Sequence, residues 1–74
     1  MKPKTNTDKP VDGLAFSIET FCRAHDISRP FLYSMWKDGN GPDVMRIGRR
    51  VLIPVEAATA WRERMTKPAG EVNT

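Results

Sequence analysis

Thiol and imidazole groups are nearly absent from this sequence of 74 residues. It has one cysteine, Cys22, and one histidine, His25. A lone cysteine excludes an internal disulfide framework, and with one histidine beside it the usual metal ligands are too few. No metal and no cofactor are therefore expected, and a reducing, cytoplasmic compartment is the default. No apolar run approaches the ~18 residues of a membrane span, so no membrane partner is predicted. The lysines near Met1 are followed by no apolar stretch, which predicts no secretory leader. Acidic residues are also in the minority. Twelve Lys and Arg face nine Asp and Glu, a formal charge of +3, and the pI is about 9.4. Such a balance favours an anionic partner, nucleic acid first, once the basic residues are placed.

The length allows one small domain. Residues 1–13 are mostly Lys, Pro, Thr, Asn, Asp and Gly. They cannot bury enough apolar surface to offset chain entropy, and a disordered arm is predicted. Residues 67–74 read as a frayed, disordered tail for the same reason. The foldable piece is 14–66, so most of its apolar side chains must be core.

Ser17 is a strong N-cap, and Glu19 follows in the first turn, where the helix dipole favours a carboxylate. Ile18, Phe21, Cys22 and His25 recur at the spacing of one helical face. The chain then breaks at His25-Asp26-Ile27. A second helix is predicted from Ser28 to Asp38, with Pro30 in its first turn and Gly39 as a left-handed stop. Asn40-Gly41-Pro42 forces a loop. The β-branched residues on both sides of Gly48-Arg49 predict a hairpin over 44–53 with a type II′ turn. Pairing puts Val44, Arg46, Val51 and Ile53 on one face and Met45, Ile47, Arg50 and Leu52 on the other; which is buried stays open. Pro54 suits the first position of a third helix, with Val55, Ala58, Trp61 and Met65 as its apolar stripe.

The second helix divides into two faces. Leu32, Met35 and Trp36 fall on one side, with Pro30, Tyr33, Ser34 and Lys37 opposite. Hydroxyl, phenol and ammonium groups in an exposed row suit base edges and phosphates in a major groove. An ordinary solvated face would read the same. Arg46, Arg49 and Arg50 crowd the hairpin turn, and the planar guanidinium fork suits phosphate oxygens or a narrow minor groove. A basic hairpin directly after two such helices is the layout of a winged helix-turn-helix. The fold class expected is mainly α with a small β-hairpin: three helices plus a wing. The DNA-contacting residues expected are Ser28, Arg29, Pro30, Tyr33, Ser34 and Lys37 in the recognition helix, and Arg46, Arg49 and Arg50 in the wing. No catalytic group accompanies His25 and Asp26 at a recognisable spacing, so no enzyme is predicted. Cys22 reads as a small buried hydrophobe.

From Phe16 to Met65 the sequence resembles the excisionase-type, AlpA-like winged helix-turn-helix proteins, relatives of the MerR DNA-binding domain. The resemblance lies in Phe16-Ser17-Ile18-Glu19 and in Ile27-Ser28-Arg29-Pro30-Phe31-Leu32-Tyr33. It continues through Gly39, then Met45-Arg46-Ile47-Gly48-Arg49-Arg50, and closes with Leu52-Ile53-Pro54-Val55-Glu56-Ala57 and Trp61. It implies sequence-specific binding of double-stranded DNA by a phage or other mobile-element protein. The roles implied are excision directionality, DNA bending or transcriptional control. Phe21 stands where the family often has a small residue, and Pro30 and Phe31 where small polar residues are common. No DNA sequence preference therefore carries over. A domain this small reads few base pairs, so binding beside further copies of itself, or with an integrase or other recombinase, is expected. The rival expectation is a small adaptor that binds a recombinase or polymerase as protein, for which a basic wing has no use.

Overall fold

A computed structural model gives the fold of residues 13–71. The predicted arm, apart from Gly13, lies outside the described residues, as do residues 72–74 of the predicted tail. The elements in order are β1 (Ala15–Ser17), α1 (Ile18–His25), α2 (Arg29–Lys37), β2 (Met45–Ile47), β3 (Arg50–Pro54) and α3 (Val55–Met65), then one 3₁₀ turn, Ala69–Glu71. The three strands form one antiparallel sheet in the order β1-β3-β2. The architecture is therefore mixed α/β, and the expectation of helices with only a hairpin missed a strand. β1 is three residues long and borrows its partner from the far end of the domain: Phe16 pairs with Ile53 and Ser17 with Leu52.

Local chemistry accounts for the helix ends. The Ser17 hydroxyl accepts from the Thr20 N–H at 3.1 Å, so one residue ends β1 and caps α1. Asp26 takes the left-handed conformation, φ 58°, that stops α1, and the Ile27 N–H closes back onto the Cys22 carbonyl at 3.0 Å. Ser28 caps α2 by accepting from the Phe31 N–H. Gly39, φ 79°, ends α2 in the same left-handed way, with the Asn40 N–H on the Met35 carbonyl at 2.8 Å. In the hairpin the positive φ falls on Gly48 and not on Arg49, as a type II′ turn requires.

Two expectations are corrected in the third helix. Pro54 closes β3 opposite Ala15 and serves as N-cap, so α3 starts one residue later, at Val55. The Val55 N–H bonds the Leu14 carbonyl at 2.9 Å and extends the ladder to that point. Met65 is 40% exposed. The whole stretch from Arg62 to Met65 is solvent-facing, so the buried stripe of α3 ends at Trp61.

The core joins all layers: Phe16 and Ile53 from the sheet, Phe21 and Cys22 from α1, Leu32 from α2, Ala58 and Trp61 from α3. Burying Phe21, Leu32 and Ile53 outright contributes about 1.5–3 kcal/mol each. Phe21 sits edge-on to Phe16 and to Trp61, with centroids 5.6 and 5.3 Å apart. The register settles the open question of the hairpin's faces. Ile53 is on the core side with Phe16, and side chains alternate along a strand. Val51 and its partner Arg46 thus share the core-side face. Arg50 and its partner Ile47 lie on the opposite one.

Candidate nucleic-acid interface

The expected contact residues divide between α2 and the β2–β3 hairpin. On α2, Pro30, Tyr33, Ser34 and Lys37 are all exposed, while Leu32 is fully buried and Met35 and Trp36 pack partly against the core. The two-faced reading of this helix matches the burial. Ser28 is engaged as the cap, its oxygen 3.2 Å from the Phe31 nitrogen, and keeps its O–H free to donate. Arg29, the first helical residue, turns back toward α1, where its Nη2 lies 3.9 Å from Oε1 of Glu19. Arg46, Arg49 and Arg50 are exposed, and none forms an ion pair among the described residues.

A groove of about 580 Å³ runs between α2 and the hairpin. Tyr33 and Trp36 line it from one side, Arg46 and Val51 from the other, with Pro42 and Val44 between them. Of the nine expected contact residues, the groove brings together Tyr33 and Arg46. The others lie outside its lining. Asp43 is on the same wall and places a carboxylate in an otherwise basic and apolar groove.

The loop that sets this separation is held by its carbonyls. The Trp61 indole N–H donates to the Asn40 carbonyl at 3.0 Å, the Arg64 Nη2 to Gly41 at 3.1 Å, and the Trp36 indole N–H to Pro42 at 2.8 Å. The two indole bonds are part-buried, where a carbonyl without a donor is costly, and they fix the loop; the Arg64 bond is exposed and adds less. Gly41 is required by contact: a Cβ there would lie within 2.8 Å of the Trp36 Nε1. Each tryptophan thus packs against the core and bonds the loop, and half-buried Trp36 also lines the groove.

His25 is occupied structurally. Its ring stacks on Phe21 with centroids 4.1 Å apart. Nδ1 lies 2.8 Å from the Phe21 carbonyl and Nε2 3.2 Å from the Arg62 guanidinium. A neutral ring with its proton on Nδ1 satisfies both contacts. Cys22 lies in the core as its place on the apolar stripe predicts, and burial pushes its thiol pKa up, with Arg29 pulling weakly the other way. Among the described residues no three His, Cys, Asp or Glu side chains gather as metal ligands, and no helix is long and apolar enough to cross a membrane.

Several surface features escaped the sequence reading. Ile47, beside the hairpin turn, is 54% exposed, and Phe31 on α2 is about half exposed. Glu19 pairs with Arg23 as well as Arg29, so α1 contributes to the charged surface at the start of α2. The i, i+4 spacing of Glu19 and Arg23 was the available signal. Comparison with family models, with curated proteins and with solved structures returned no match to this chain.

Proposed function

We propose that this chain is a winged helix-turn-helix protein that binds double-stranded DNA sequence-specifically. In this reading α2 enters the major groove, and the hairpin is a wing on the backbone or in the minor groove. One observation carries it. From Val44 to Val55 the chain holds three arginines and no acid, and all three are exposed without an ion pair among the described residues. Asp43 and Glu56 flank this stretch without pairing with its arginines among the described residues, and in this reading the phosphates of a duplex supply the counter-charge. The Tyr33 phenol stands across the groove from Arg46, and the exposed Ser34 and Lys37 of the same helix would supply further hydrogen-bonding groups for base edges. A role in mobile-element excision, as an architectural factor, or in transcriptional regulation rests on the resemblance to excisionase-type proteins. So does assistance from a recombinase or from further copies on adjacent sites.

The test is the double variant Arg49→Ala/Arg50→Ala, titrated with one selected duplex and one random duplex across a salt series. Each lost phosphate contact flattens the slope of log affinity against log salt by about 0.9. Both duplexes are expected to bind more weakly. The rival reading, an adaptor for a recombinase or polymerase, draws support from the apolar floor of the groove, Trp36, Val44 and Val51. A double variant that melts like the parent and keeps its salt slope would exclude the wing from DNA and favour the adaptor.

A further inference from the structure

Glu19 is an acid set beside the basic groups at the start of α2. It stands in the first turn of α1, and each of its carboxylate oxygens takes a different arginine. Oε2 is 3.2 Å from Nη2 of Arg23, one turn along α1, and Oε1 is 3.9 Å from Nη2 of Arg29, the first residue of α2. All three side chains remain more than half exposed. Such exposed pairs contribute little to stability, so removing the Glu19 charge leaves the fold intact. The ion pair sets the Arg29 side chain toward α1.

At 3.9 Å the Glu19–Arg29 pair is a Coulombic contact, longer than a hydrogen bond, so it ties down no N–H group of the fork. A free arginine on a flexible stem takes whichever phosphate lies nearest. The carboxylate draws this guanidinium to one place and repels phosphate from it, while the planar fork still suits paired neutral acceptors.

We infer that Glu19 is a positioning residue that holds Arg29 for a paired base-edge contact and denies it, with Arg23, to the phosphate backbone. The base whose major-groove edge offers two such acceptors is guanine. The inference rests on the proposed DNA-binding reading and adds the residue that converts affinity into selectivity.

Glu19→Gln keeps the shape and removes the charge. Its affinity for a random duplex should rise and its salt slope steepen by about 0.9 for each arginine released to phosphate. The ratio of selected to random affinity should fall about tenfold, the scale of one good bidentate contact. Repeated selection from a random pool should lose a guanine that the parent requires. In an Arg29→Ala background the same substitution should leave the ratio unchanged, because a positioning residue acts only through its partner. Melting should stay within a few degrees of the parent in each variant. The inference is overturned if Glu19→Gln shifts both duplexes equally, or if the ratio falls as far without Arg29 as with it. A parent chain that binds neither duplex refutes the DNA-binding reading itself, a different outcome visible in the first titration.

Discussion

Removing the Trp61 ring tests the packing that holds the two candidate contact surfaces together. Its side chain is 7% exposed, edge-on to Phe21, and its indole N–H donates to the Asn40 carbonyl. Trp61→Ala deletes the ring from the core, a truncation that costs about 3–5 kcal/mol. The orphaned Asn40 carbonyl adds about 1 kcal/mol, less if water reaches it. A domain of the 59 described residues has about 3–9 kcal/mol in total at ordinary stability per residue. The loss is therefore of the same size as the whole. Trp61→Ala should lose most of that stability, seen by far-UV circular dichroism as a melting temperature lowered by at least about 15 °C or as no cooperative melt at all. Trp61→Phe separates the two contributions: it keeps most of the packing, loses the donor, and should fold with a melting temperature roughly 4–16 °C lower, from about 1–2 kcal/mol at this size. An alanine variant that melts within a few degrees of the parent would refute the place given to Trp61 between α1, α3 and the loop.

On α2, Ser34→Ala and Lys37→Ala should weaken binding to a selected duplex while melting stays unchanged, because both side chains are exposed. Unchanged affinity in both would remove this face as the reader. Gly41→Ala puts a methyl group against the Trp36 indole, so it should redden tryptophan emission and cost about 1–3 kcal/mol as the Pro42 carbonyl loses its donor. An unshifted spectrum with parental melting would show that the indole can move at no cost. Cys22 should resist iodoacetamide in the native protein and react on unfolding in urea. Because its folded pKa is raised, the protonated thiol is the form that folding favours. That contribution is present at neutral pH and is lost as the pH climbs through the raised value. Native alkylation as fast as in urea would contradict the burial.

What could be read from the sequence was what neighbouring residues decide. Ser17 and Ser28 as caps, Gly39 as a stop and Gly48 in the turn each follow from chemistry within four positions. β1 could not be read, since three residues show no usable alternation and its partner strand is more than thirty positions away. The buried side of the hairpin depended on that missing strand: Phe16 opposite Ile53 marks which face meets the core. The residue types of the candidate interface were legible because composition displays them. Their gathering was not: Tyr33 and Arg46 meet across a groove only because of how the intervening loop is held. Arg29 shows the same divide. Its place at the head of α2 is local information, but its pairing with Glu19 belongs to the packing of two helices.

The donors that grip the loop have a consequence for how such a protein can change over time. Two of the three come from the third helix, Trp61 and Arg64, more than twenty positions downstream of the carbonyls they hold. That helix offers no candidate contact of its own. It acts like the hinge screw of a pair of calipers, with α2 and the hairpin as the jaws. Substitutions in α3 that shift Trp61 against the loop would then alter the span the jaws bridge without touching any group that meets the ligand. A lineage of such proteins could adjust the spacing of the sites it fits separately from the letters it reads, each in a different stretch of the gene.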